Sequence, residues 1–111
     1  MKVGEIYRAD LPTADGHEQS GRRPVMVIQH ESISLSTVLV VPLTAAKAAT
    51  RFAGTVPIPI TPENGLTADS VLLVFQIRAV DRKRFESKIG VVDPAVLAQV
   101  YASLDTLTAR P

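Results

Sequence analysis

Gly16-His17-Glu18-Gln19-Ser20-Gly21-Arg22-Arg23-Pro24 runs directly into Val25-Met26-Val27-Ile28-Gln29. The first part is polar, charged and bracketed by glycines; the second has the Val/Ile-rich composition of a buried strand. A polar loop that delivers charged groups onto a rigid strand is a common way to build a site, and a solvated hairpin loop has the same composition. Outward from this junction the chain stays β-like. Residues 5–11 alternate in polarity before the turn-prone segment 12–16, and residues 37–42 form a second Val-rich run. Residues 55–60 carry Pro57 and Pro59 at alternate positions, which predicts an edge strand or an irregular extended segment, because proline cannot donate to a ladder. Glu63-Asn64-Gly65 is a turn signal. Residues 70–77 read as one apolar strand and residues 88–92 as a last short one.

The C-terminal fifth changes period. Asp93 followed by Pro94 predicts an N-cap with proline in the first helical position. Val96, Leu97, Val100, Tyr101, Leu104 and Leu107 then form a helical stripe. The expected architecture is mostly β, a small antiparallel barrel carrying one C-terminal helix.

Composition removes several classes of function. The 111 residues have 12 Lys and Arg against 11 Asp and Glu, a net charge of +1, which excludes a strongly basic nucleic-acid arm but not a local patch. With no cysteine there is no disulfide scaffold, thiolate zinc site or cysteine nucleophile. Apolar runs such as residues 71–75 fall far short of the roughly 20 residues that span a bilayer. No apolar signal-peptide core follows Met1, so the default compartment is the cytoplasm. Without repeats, linkers or low-complexity tracts, residues 1–111 are expected to form one domain.

Individual residues say less. Asp15, His17 and Glu18 are ligand-type side chains, but their spacing on one loop matches no metal motif and no second cluster completes a site. His30 closes a strand without an obvious partner, and no Gly-x-Ser-x-Gly elbow is present. Thr44, at the end of an apolar run, reads by itself as a turn residue. Arg78, Arg82, Lys83, Arg84 and Lys88, set among Asp81 and Glu86, suit either phosphate tracking or a solvated face with internal ion pairs.

Taken together, these pieces resemble the MazF/PemK (Kid) family of toxin endoribonucleases. The resemblance runs through Gly4-Glu5-Ile6-Tyr7, the Gly-x-Glu-Gln-x-Gly-x-Arg-Pro block at 16–24, Val41-Pro42-Leu43-Thr44, Asp69-Ser70-Val71 and Gln76-Ile77-Arg78-Ala79-Val80-Asp81. It implies an SH3-like barrel, a homodimer, no metal or other cofactor, a MazE-like antitoxin partner and no membrane. The implied activity is sequence-specific cleavage of single-stranded RNA, leaving a 2′,3′-cyclic phosphate and a 5′-hydroxyl. Arg23 and Thr44 match the family residues that act on the scissile phosphate. His17 and Glu18 match its loop histidine and glutamate, and Gln19, Gln76 and Arg78 match positions bordering the RNA. Arginine's reference pKa, above about 12, suits charge stabilisation better than proton donation, so His17 or Glu18 is the better candidate base.

One departure stands out. Relatives commonly place an acid before the glutamine, with an arginine two residues earlier in the Kid-like branch; here the stretch is Leu73-Val74-Phe75-Gln76. Acid–base work by such a pair is therefore impossible, and Phe75 is either a base-stacking group or core filler. The alternative function is a non-catalytic toxin of the same barrel type, such as a gyrase poison, or a degenerate RNA- or protein-binding relative.

Overall fold

The computed structural model describes residues 1–12 and 21–111. The readings placed on Asp15, His17, Glu18 and Gln19 therefore fall outside the described residues. Among the described residues there are seven strands: β1 (Glu5–Leu11), β2 (Gly21–Val27), β3 (Thr37–Thr44), β4 (Thr55–Ile58), β5 (Ser70–Leu73), β6 (Arg78–Asp81) and β7 (Phe85–Val91). A helix, α1 (Pro94–Leu107), follows, as expected. All pairings are antiparallel, in the order β4-β5-β3-β2-β1-β7, with β6 also on β3.

β3 is the pivot of the barrel. Its first half, Thr37 to Val40, pairs with β6; its last two residues, Leu43 and Thr44, pair with β5; and β2 takes its other edge. Leu43 and Val41 join Met26, Ile6 and Leu72 in one core, whereas Val40 and Val38 join Val25, Val27 and Leu11 in a second. Burial on both faces explains why Val25–Val27 of β2 and most of β3 read as continuous apolar runs instead of alternating. Gly21, Arg22, Arg23 and Pro24, expected in a loop, instead form the first half of β2, because β1 pairs with them as far as Leu11 opposite Gly21. Truncating Met26 or Leu72, both fully buried, to alanine is expected to cost about 2–5 kcal/mol.

Residues 70–77 do not form the single strand that their composition suggests. β5 stops at Leu73, Val74–Gln76 makes a 3-10 turn, and the chain re-enters the sheet as β6. The break lets one continuous segment pair first with one end of β3 and then with the other. β4 is the edge strand its prolines predict, with Pro57 opposite Val71.

α1 begins as the sequence implies: the Asp93 carboxylate accepts a 2.7 Å bond from the Ala95 N–H, and Pro94 occupies the first turn. Val100 is buried, and Val96, Leu97 and Leu104 pack on the first core. Tyr101 and Leu107, predicted on the same stripe, are instead nearly half exposed.

Candidate functional site

Arg23 and Thr44 are 21 positions apart in sequence and meet in one cleft. The β2–β3 ladder (Val25 opposite Pro42, Met26 opposite Val41, Val27 opposite Val40) ends two residues short of both, so the two strands carry Arg23 and Thr44 to the same end of the pair. The cleft encloses about 270 Å³ and is also lined by Arg8, Pro24, Gly65 and Thr67. Two guanidinium-bearing side chains and no carboxylate line it among the described residues, so it favours an anion. The Ala46 N–H donates to Thr44 Oγ1 at 3.2 Å. With its oxygen acting as acceptor, the hydroxyl keeps its own hydrogen to direct at a ligand.

Arg8 belongs to no motif in the sequence, yet it lines the same cleft. The signal was available: it is the one basic residue in β1, and antiparallel pairing with β2 sets it opposite Pro24, next to Arg23.

The wall formed by residues 65–68 is pinned by Asn64, only 2% exposed. Its Oδ1 accepts from the Leu66 N–H at 3.1 Å and from the Thr61 N–H at 3.3 Å, while its Nδ2 donates to the Pro59 carbonyl at 2.9 Å. Gly65 (φ +64°) lies so close to Ile89 that a Cβ there would collide with the Ile89 carbonyl oxygen. The Glu63-Asn64-Gly65 turn signal is thus also the cleft's support.

A second, mainly apolar pocket of about 430 Å³ adjoins the cleft and shares Thr44 with it. Phe52, Leu73, Phe75 and Gln76 line it. Phe75 is 41% exposed, so it is not core filler. Gln76 lies in the 3-10 turn and not on a strand, and Arg78 opens β6 opposite Val40 and lines neither pocket. Arg23, Thr44 and Gln76 thus line adjoining pockets, and Arg78 follows two residues beyond Gln76.

Two side chains of the basic cluster beyond Arg78, Arg82 and Lys88, are engaged with the fold, and Lys83 is held through its backbone amide. Arg82 Nε donates to the Leu35 carbonyl at 2.6 Å, Asp81 caps the Lys83 N–H at 2.9 Å, and Lys88 pairs with Glu5 at 2.6 Å. Lys83 and Arg84 border a mixed-charge cleft together with Asp10, Asp81 and Glu86. Lys88 holds the Glu5 carboxyl down at about 2, helped by the Lys2 backbone N–H, and is itself raised by Glu5.

Comparison with known proteins gives this geometry a context. The family described as PemK-like, MazF-like toxin of type II toxin–antitoxin systems matches residues 2–108. Endoribonuclease EndoA of Bacillus subtilis is 35% identical over 106 residues, covering 94% of this chain and 90% of that protein. The crystal structure of MazF from Deinococcus radiodurans superposes with a TM-score of 0.81 at 26% identity, covering 98% of this chain and 96% of that one. A MazE–MazF complex from the same organism gives a TM-score of 0.74 at 23% identity, over all of this chain and 97% of that one, which shows the shared fold. No helix among the described residues is long and apolar enough to cross a membrane. With a match over nearly its whole length, this chain belongs to the PemK/MazF-like family of type II toxins.

Proposed function

We propose that this protein is the endoribonuclease toxin of a type II toxin–antitoxin pair, and that residues 1–111 act as one domain on single-stranded RNA in the cytoplasm. The observation that carries this reading is the cleft that Arg23 and Thr44 both line, with Arg8 adding positive charge. The ribose 2′-oxygen, its proton removed, attacks the adjacent phosphorus, the P–O5′ bond breaks, and the departing 5′-oxygen takes a proton from water, leaving a 2′,3′-cyclic phosphate and a 5′-hydroxyl. Arg23 grips the phosphate oxygens as negative charge develops, a task suited to its planar fork of donors. Thr44 orients the phosphate through its hydroxyl. His17 or Glu18 takes the 2′-OH proton, on the strength of their ordinary pKa ranges. Gln19, Gln76 and Arg78 contact RNA beyond the scissile group.

The protein acts as a homodimer restrained by a MazE-like antitoxin. Exposed Ile33, Leu35 and Leu39 on the β2–β3 side support the first point, since a shared face would cover them. The anion-seeking cleft supports the second, because an inhibitor competing with RNA needs acidic residues of its own.

The test is incubation of the pure protein with long RNA, with and without excess chelator, followed by mapping of product ends. Discrete cuts with 5′-hydroxyl and cyclic-phosphate ends in both conditions are expected. Intact RNA, with DNA damage that depends on gyrase, would instead assign the non-catalytic alternative.

A further inference from the structure

We propose that the apolar pocket beside Thr44 is a nucleobase subsite, in which Phe52 and Phe75 hold one unstacked base next to the scissile phosphate; this rests on the nuclease reading above. The chain has three phenylalanines, and two of them stand half in solvent here, Phe52 at 50% and Phe75 at 41% exposure. Leaving two large apolar rings in water on one small surface is unfavourable unless something covers them.

Their geometry suits a flat ligand. The ring centroids are 6.0 Å apart and the planes are tilted by 48°, so the rings form two walls of a corner and do not sandwich a ligand between parallel faces. The Arg51 guanidinium lies 5.0 Å from the Phe52 centroid and adds positive charge at the rim.

The corner is held by backbone. The Phe75 N–H bonds the Gly54 carbonyl at 3.1 Å, and the Phe52 N–H bonds the Ala49 carbonyl at 3.0 Å. Gly54 (φ +77°) permits this approach: a Cβ there would sit 2.9 Å from a Leu107 methyl and 3.1 Å from the Phe75 Cβ. The backbone positions that carry both rings are therefore set before a ligand arrives.

Continuity with the cleft decides the occupant. Thr44 lines both spaces, so a strand with its phosphate at Arg23 has a neighbouring base within reach of the rings. A duplex keeps both faces of each base stacked, so only single-stranded RNA presents the face that the rings require. Gln76 adds an amide, with both donor and acceptor atoms, to the same lining.

The experiment begins by mapping a cut site in long RNA and synthesising an oligonucleotide across it. Abasic nucleotides then replace, one at a time, the positions within two residues of the cut. KM and kcat are measured for the natural chain, for Phe75→Leu, for Phe52→Leu and for Phe75→Tyr. One abasic position should raise KM by roughly 5- to 150-fold, the range for losing one stacked base, with kcat little changed. Phe75→Leu should show a similar KM on the intact oligonucleotide and no further loss at that abasic position. Phe75→Tyr, which keeps the ring, should restore the original KM.

Abasic penalties that persist undiminished in both leucine variants would overturn the subsite. So would leucine variants that cut RNA normally while losing antitoxin affinity, which would assign the pocket to a protein partner. Should the protein cut no RNA, the nuclease reading fails separately. Quenching of a single-stranded RNA containing 2-aminopurine, compared between the natural chain and Phe75→Leu, then reads the subsite alone. Equal quenching in the two proteins overturns it.

Discussion

The Arg23 cleft and the Phe52/Phe75 pocket share a residue but are built by different means. The cleft hangs from β2 and β3, whose ladder continues unbroken to Val25 and Pro42, and its far wall is fixed by the buried Asn64. The pocket is assembled where strands end, from the 3-10 turn Lys47–Arg51 that delivers Phe52 and the turn Val74–Gln76 that presents Phe75. Stabilising a developing charge demands donors placed closely on reacting oxygens, and a ladder supplies that placement. Stacking tolerates tilt and small displacement, so turns suffice. The difference implies a division of labour in which damage to the cleft lowers kcat and damage to the pocket raises KM.

The strongest test of that division lies in the substrate. Replacing the ribose 5′ of the cut with deoxyribose removes the nucleophile, so single-turnover assays should show no cleavage at that bond, with binding retained. Robust cutting there would break the proposed chemistry. Arg23→Ala should then lower kcat by roughly 10²–10³, the usual cost of one transition-state stabiliser. Arg23→Lys should recover only part, because an ammonium carries charge without the bidentate fork. Thr44 belongs to both spaces and so sharpens the comparison. Thr44→Val keeps the shape of the shared wall and removes the hydroxyl, and it should reduce kcat with KM nearly unchanged. The opposite split would move Thr44 to the binding side.

The same contrast explains what was legible in the sequence. β1, β3, the apolar half of β2 and the Asp93–Pro94 start of α1 follow from local composition, because buried strands and helix caps select residue types strongly. The polar half of β2, Gly21–Pro24, reads as loop because only its pairing with β1 makes it a strand. The strand break at Val74–Gln76 does not follow from composition either: Val74, Phe75 and Ile77 are as apolar as β5, and a change of partner strand leaves composition untouched. Phe52 carries no legible signal, because a lone aromatic after an alanine-rich stretch shows no period and its partner lies 23 positions away. Arg23 and Thr44 were identified by resemblance, and the β2–β3 register supplies the physical reason they meet. Arg8 needed the β1–β2 pairing before it had any meaning.

Asn64 tests whether the cleft depends on its support as well as its strands. Asn64→Ala leaves two backbone N–H groups and one carbonyl without their side-chain partner, expected to cost about 2–3 kcal/mol in stability. Thermal denaturation should show the loss as a drop in Tm on the order of 10 °C for a domain of this size. Residual activity, measured well below that Tm, should fall through kcat and not KM, because the wall that moves belongs to the cleft. An equal Tm in the two proteins would show that loop 61–66 is held by something other than this side chain.

The smallest expected effect comes from the Glu5–Lys88 pair, which links β1 to β7 and lines neither space. In the fold, Lys88 and the Lys2 N–H hold the Glu5 carboxyl down at about 2 against an ordinary 4.5. A depressed carboxylate contributes stability that is fully present above its unfolded pKa and is lost as pH falls through the folded one. The acid limb should therefore weaken between pH 4.5 and about 2. Lys88 is raised by the same partner, so its share is present below 10.5 and is lost at higher pH. Glu5→Gln removes the charge and keeps the shape. Its Tm-against-pH curve should lie slightly below that of the natural protein at neutral pH and converge with it as pH falls through the acid window. Curves that stay parallel from pH 7 to pH 2 would remove Glu5 from the acid response. Because the pair lies outside both pockets, kcat and KM at neutral pH should be unchanged in Glu5→Gln. That outcome separates a change in the barrel's stability from a change in either half of the site.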